Sequence, residues 1–188
     1  MSRPILLLKK SAERMLPHSG LRYGGLAVLA LGLPLLTGAV DAGRSFQQRL
    51  LSAHNAERAA VGVGPLNWNT HLAASAQEWA DHLAATGQFR HSPDDPRDPQ
   101  GENLWEGTRG YYSIEDKVGA WSSEKRYFRP GTFPANSTTG RVEDVGHYTQ
   151  LVWRDTREVG CAEARNSGDE VLVCRYSSPG NYRGERPF

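Results

Sequence analysis

The sequence predicts an α+β fold, with helices in the first part of the domain and an antiparallel hairpin near its end. Apolar residues recur at helical spacing in two stretches between residues 45 and 87. Two strand-like runs, REVGCAEAR and DEVLVCRY, come much later and flank the turn-forming residues Asn-Ser-Gly-Asp. Because the helices precede the strands and do not alternate with them, the order excludes a wound parallel sheet.

Two long helices are predicted at the start of the domain. The first runs from about Ser45 to Ala60 and is followed by glycines that end it. The second begins after Asn69, which can act as the N-cap, and ends at Gly87. Their predicted buried faces consist of Phe46, Leu50 and Ala53 in the first helix, and Leu72, Ala76, Trp79 and Leu83 in the second.

A third helix is predicted to start near Ser113, which is spaced from Asp116 as in a capping box. Irregular loops precede and follow it at residues 91–101 and 129–141, where prolines cluster. The stretch GHYTQLVW, residues 146–153, is predicted to be a short helix before the hairpin. The buried side of the third helix is predicted to comprise Ile114, Val118, Trp121 and Phe128.

The composition is that of a globular protein with a modest charge. Of 188 residues, 23% are charged, and the formal net charge is +1. No block of Lys and Arg stands out in the body of the chain. Composition therefore gives no argument for a nucleic-acid partner, and none is expected.

The first 42 residues have the pattern of a secretory signal. A basic beginning precedes the uncharged run LAVLALGLPLLTGAV, residues 26–40, and small residues follow. A membrane span needs roughly 20 apolar residues, so this run is too short. We therefore predict cleavage near Ala42, a mature domain of residues 43–188, no stable membrane span after cleavage, and a secreted or, in a bacterium, periplasmic location. An uncleaved anchor is the alternative.

The two cysteines are predicted to form a disulfide across the hairpin. If Arg165 pairs with Glu170 beside the turn, Cys161 and Cys174 stand directly opposite each other on the two strands. Opposite residues have Cβ atoms roughly 4.5–5.5 Å apart, from which small adjustments reach bonding geometry. Two buried free thiols are the alternative.

Seven motifs follow one another along the chain: HNAER at 54–58, GVGPLNWN, FRHS, GENLWEG, WSSEK, GHYTQLVW and CRYSSPGNY. In type and order they resemble those of the CAP superfamily of cysteine-rich secretory, antigen-five and pathogenesis-related-one proteins. The ending GNYRGERPF is similar to that of the plant pathogenesis-related-one proteins. The resemblance implies a three-layer α-β-α sandwich with a central antiparallel sheet, and a secreted, single-domain protein with a surface cleft. Monomers are the default expectation.

The same resemblance implies that two histidines and two glutamates line the cleft: His91, Glu102, Glu124 and His147. Such a set could bind a divalent metal, zinc or magnesium, with imidazole and carboxylate ligands. It could instead be a metal-dependent hydrolase, protease or esterase, in which a Glu acts as general base. A structural hydrogen-bond network is the third possibility. No HExxH or GxSxG motif is present and Ser123 is a candidate nucleophile only by proximity, so we favour a binding module over an enzyme.

Three further features carry weaker predictions. Phe128 and Phe133 border an irregular loop that could cover a sterol or fatty-acid ligand, as the resemblance suggests, although both could be ordinary loop anchors. His54 is expected to belong to a network on the surface of the first helix that packs against the end of the chain, and not to the cleft. Asn136-Ser137-Thr138 matches the N-glycosylation pattern.

Overall fold

The computed structural model describes residues 45–188. The predicted signal segment, residues 1–42, and its cleavage site lie outside the described residues, so both stay predictions. Within residues 45–188, no helix combines the length and apolar content needed to cross a bilayer.

The helix boundaries follow the predicted caps. The side chain of Ser45 accepts from the N–H of Gln48 in a capping box, and Asn69 accepts from two N–H groups of the second helix. Gly87 ends that helix with φ of 64°, a left-handed conformation that glycine adopts without strain. The elements of the described chain are α1 Phe46–Ala60, β1 Asn67–Trp68, α2 Thr70–Thr86, β2 Gly101–Thr108, α3 Ile114–Ser122, α4 Gly146–Leu151, β3 Glu158–Arg165 and β4 Asp169–Ser177.

Two local features differ from the predictions. The third helix stops at Ser122 and tightens into a 3-10 turn, Ser123–Tyr127, so that Phe128 lies beyond the helix in extended backbone. A short strand, β1, pairs in parallel with β3 through only two residues. The sheet is therefore mixed and not purely antiparallel, because the loop after α1 passes beside the start of β3.

The sheet has the order β1-β3-β4-β2, which makes β2 an edge strand. In the antiparallel hairpin, Arg165 pairs with Glu170 and Cys161 pairs with Cys174, as predicted. The two cysteines form a disulfide with a Cα–Cα distance of 4.1 Å. The predicted pairing is therefore confirmed.

One face of the sheet packs against α2 through small and branched apolar side chains. Gly160 of β3 permits this close approach, since a Cβ at that position would lie 2.2 Å from the backbone nitrogen of Ala73. The buried residues of this layer are Ala76, Ala80, Leu83, Leu104, Ala162, Val171 and Val173.

The opposite face packs against α1, α3 and α4, which completes a three-layer α-β-α sandwich. Its apolar core includes the disulfide and Leu50, Val118, Trp121, Leu151 and Leu172. Polar groups are buried here too. Arg58 of α1 is fully buried and donates to the carbonyl oxygens of Gly64, Leu151, Trp153 and Thr156. This guanidinium joins α1 to the chain that follows α4.

Candidate functional site

The first half of the predicted site is a pair formed by His91 and Glu102. His91 lies in the proline-rich loop after α2, and its Nδ1 is 2.6 Å from Oε1 of Glu102 on β2. The same oxygen accepts from the N–H of Ser92 at 3.1 Å. The second oxygen of Glu102 forms an ion pair with Arg175 of β4 at 3.1 Å. The carboxylate is 3% exposed and is held by an imidazole, an amide and a guanidinium.

The second half of the site is a pair formed by Glu124 and His147. Glu124 lies in the 3-10 turn after α3, and its Oε1 is 2.8 Å from Nδ1 of His147. Its other oxygen accepts from the main-chain N–H groups of His147 and Tyr148, at 2.9 and 3.2 Å. These N–H groups belong to the first turn of α4, where they have no partner within the helix. One carboxylate thus holds both the backbone and the ring of His147.

The strand register places the two pairs on opposite faces of β2. Neighbouring residues of a strand point to opposite faces. Glu102 and Arg175 are cross-strand partners, and so are Arg175 and Gly160, so all three lie on the same face of the sheet. That face is the one against α2, because a Cβ built on Gly160 would point at the backbone of α2. Gly101 faces the other way, since a Cβ there would lie 2.3 Å from Oε1 of Gln150 in α4.

Both histidines present the same chemistry. In the part of the chain that the structure describes, the hydrogen bonds of these rings run through Nδ1 alone. If Nδ1 donates to the carboxylate, Nε2 keeps its lone pair, which is the usual arrangement of a metal-binding imidazole backed by a carboxylate. The side chains of His91 and His147 are 13% and 18% exposed, so part of each ring lies at the surface.

The four residues do not form a closed cage of metal ligands. Among residues 45–188, the only three His, Cys, Asp or Glu ligand atoms within 4.8 Å of one another belong to His54, Cys161 and Cys174. That group is not a metal site as it stands, because both sulfurs are in the disulfide. Within residues 45–188, each carboxylate therefore lies behind the imidazole of its own pair, and the four residues are not grouped as direct ligands of one ion.

His54 lies in the core, where its ring contacts β4 and not the last residues of the chain. It is fully buried, with Nδ1 2.8 Å from the Leu50 carbonyl oxygen and Nε2 2.9 Å from the Tyr176 hydroxyl. Burial lowers the pKa of His54 from 6.5 to about 4, so the ring is neutral at pH 7. The expectation that His54 lies outside the cleft agrees with these contacts.

Two residues near the site were missed by the sequence analysis. Arg175 holds Glu102, and the amide of Asn103 donates to the main-chain oxygen of His147 at 3.1 Å. Arg175 is the cross-strand partner of Glu102, and Asn103 is the residue that follows Glu102 on β2. The register of β2 and β4 would have been needed to find them.

Neither the proposed nucleophile nor the proposed lipid cover is confirmed by the contacts. The hydroxyl of Ser123 donates to the carbonyl oxygen of Ala120 at 2.8 Å and not to a His or Glu. Phe133 is 1% exposed and packs edge-on against Trp153 in the core. Phe128 is partly buried against the rings of Tyr148 and Phe188.

The glycosylation pattern falls on a buried residue. The side chain of Asn136 has no exposed surface, and neither its oxygen nor its nitrogen has a hydrogen-bond partner in the described chain. A glycan on this nitrogen would have no path to solvent in the folded protein.

Comparisons with known proteins match this arrangement to one family. The model of the cysteine-rich secretory protein family, CAP, matches residues 51–176. Pathogenesis-related protein 1A of Nicotiana tabacum is 43% identical over 76% of this chain and 80% of its own length. Pathogenesis-related protein 1 of Arabidopsis thaliana is 38% identical over 76% of this chain and 82% of its own. The crystal structure of NaASP2 with Zn2+ superposes with a TM-score of 0.63 at 23% identity, covering 79% of this chain and 88% of that one.

Proposed function

The chain belongs to the CAP family, and from that premise we propose that it is an extracellular binding module that takes a divalent cation, zinc before magnesium, at His91 and His147. One observation carries the proposal: each imidazole is bound through Nδ1 to the carboxylate of a glutamate that is at most 9% exposed, and Nε2 remains for a ligand. Imidazole nitrogen favours zinc over magnesium, which prefers oxygen ligands.

The location and the domain limits belong to the same proposal. A disulfide persists in oxidising compartments, and the relatives are named pathogenesis-related proteins. Both agree with export after cleavage near Ala42 and with a mature domain of residues 43–188. Sequencing of the exported protein's N-terminus tests this, and a start at Met1 would refute it.

The zinc proposal is tested by calorimetry on the exported protein. We expect one saturable zinc site that is lost in the double variant His91→Ala/His147→Ala. His71→Ala is the matched control, because His71 is an exposed histidine whose ring contacts only Asp98. Wild-type protein without saturable binding, or a double variant that binds normally, contradicts the proposal.

Hydrolysis is the rival function of the same residues. Glu124 could act as a base only by releasing the backbone and ring of His147 and the N–H of Tyr148, which it holds through three hydrogen bonds. We therefore expect no turnover in a screen of peptides and esters with zinc present. Turnover that disappears in Glu124→Gln, while zinc still binds, would replace the binding module by an enzyme.

Binding of a sterol or fatty acid has less support. Phe133 is in the core, so the loop could contribute only Phe128 to an apolar ligand site. We expect Phe128→Ala to leave lipid retention after solvent extraction unchanged. Reduced retention in that variant would restore the lipid function as a second activity.

A further inference from the structure

Two consecutive residues of β2 reach the two histidine positions from opposite faces of the sheet. The carboxylate of Glu102 contacts the ring of His91 at 2.6 Å. The amide of the next residue, Asn103, contacts the main-chain oxygen of His147 at 3.1 Å. The loop that carries His91 and the helix that carries His147 are therefore held at neighbouring positions of one strand.

The amide of Asn103 can take only one orientation. Its nitrogen donates to the oxygen of His147 and to the hydroxyl of Tyr176, at 3.1 and 3.2 Å. A flipped amide would set its own oxygen against the carbonyl oxygen of His147, acceptor against acceptor. The oxygen of the observed orientation is buried without a partner in the described chain. The two donated bonds therefore fix the orientation of this amide.

The direction of the remaining bonds follows from their chemistry. The Leu50 carbonyl can only accept, so Nδ1 of His54 carries the proton. Nε2 of the neutral ring then accepts from the hydroxyl of Tyr176. The hydrogen bonds thus run from Asn103 to Tyr176 to His54, all fully buried. The chain of bonds joins α4, β2, β4 and α1.

We propose that Asn103 is a positioning residue for His147. It connects the main chain of His147 to the buried, hydrogen-bonded pair of Tyr176 and His54. Together with Glu102, it fixes the positions of the two imidazoles relative to each other. This inference deepens the proposed cation site and rests on it for its effect on zinc. Its structural content, the orientation of the His147 ring, is independent of any metal.

The test combines zinc calorimetry with nitrogen-15 NMR of the histidine rings in metal-free, exported protein. In Asn103→Ala we expect the Nδ1-protonated signature of His147 to become mixed, while that of His91 stays unchanged. Zinc affinity should fall about tenfold, the usual effect of losing support behind a metal ligand. Thr149→Val is the matched control, because Thr149 is buried in the same helix but bonds to Asn181 and Gly146. It should leave both readouts unchanged.

Tyr176→Phe provides a second variant that removes a single oxygen atom. It should alter the nitrogen-15 shift of His54 directly and that of His147 to a smaller extent. If Asn103→Ala does not fold, the nitrogen-15 spectrum of His147 in Tyr176→Phe tests the proposal instead. A wild-type His147 spectrum in the folded variants overturns the proposal. If wild-type protein binds no zinc, the cation function fails, while the His147 spectra still decide whether Asn103 positions the ring.

Discussion

The face of the sheet under α2 is apolar through its centre, whereas the face under α1, α3 and α4 contains buried polar groups. Under α2, alanines and a glycine let the helix backbone approach the strands closely. Under α1, Arg58, His54 and Asn103 have no exposed surface and bond to backbone and side-chain atoms far along the chain. The first face is specified by shape, and the second also by buried hydrogen bonds between distant parts of the chain. The two faces should therefore respond differently to mutation and to pH.

The largest expected effect comes from Arg58 on the polar face. Arg58→Met would remove the only donor to the buried carbonyl oxygens of Gly64 and Leu151 in the described chain. The oxygens of Trp153 and Thr156 would lose one of two donors, since the N–H of Thr156 and the guanidinium of Arg157 also reach them. Each of the two acceptors left without a donor costs roughly 1–3 kcal/mol, so we expect a loss of about 4 kcal/mol in the free energy of unfolding. Urea denaturation measures it. Arg58→Lys, which keeps the charge but not the planar fork, should recover less than half. A loss below 1 kcal/mol in Arg58→Met would contradict this role.

The next effect is a dependence of stability on pH through His54. The unfolded ring takes up a proton below pH 6.5, and the buried ring does so only below about 4. Protons therefore favour the unfolded state, and stability falls as the pH drops from 6.5 to 4, by about 3 kcal/mol. Denaturation at several pH values should show this slope reduced in His54→Gln. The exposed His71 serves as control, and His71→Gln should keep the wild-type slope. Equal slopes in all three proteins would show that His54 is not the titrating group.

A smaller effect tests close packing on the apolar face. Gly160→Ala places a methyl group against the backbone of α2, which cannot move aside as a flexible side chain would. We expect a loss of about 2–3 kcal/mol from overpacking. Gly119→Ala is the control with the opposite sign. A Cβ at this α3 glycine meets nothing within 4 Å, and alanine favours the helix by about 1 kcal/mol. A neutral Gly160→Ala would mean that α2 is free to shift.

The smallest effect compares one hydroxyl on each face. Val173→Thr introduces a hydroxyl into the apolar layer, where the buried side chains around it are apolar. We expect this change to lower the free energy of unfolding by about 1–2 kcal/mol. Thr149→Val removes a hydroxyl that already has partners and should cost about 1 kcal/mol. Thermal unfolding of the two variants measures the difference. A stabilising Thr149→Val would weaken the contrast between the faces.

The sequence predicted the apolar face better than the polar one, for a physical reason. Helical periodicity and caps are local signals, and they located α2 from Asn69 to Gly87 and the hairpin with its disulfide. The end of α3 at Ser122 and the two-residue strand β1 carry no periodic signal of their own, since tertiary packing decides them.

The site shows the same limit. The four residues His91, Glu102, Glu124 and His147 came from the resemblance, because separate elements carry them. How they pair, and the roles of Arg175 and Asn103, depend on strand register and on a contact with a main-chain oxygen. Arg58 likewise binds carbonyl groups, which every residue has, so no side-chain pattern could reveal its partners.

Buried Asn136 sets an order of events in a host that glycosylates exported chains. Transfer of an oligosaccharide to this nitrogen is possible only while the segment is still unfolded, because folding removes the whole side chain from solvent. A chain modified first could not close the loop around residue 136 in the observed form. The fraction of glycosylated molecules would therefore report the rate at which the loop folds relative to the rate at which the transferase modifies Asn136.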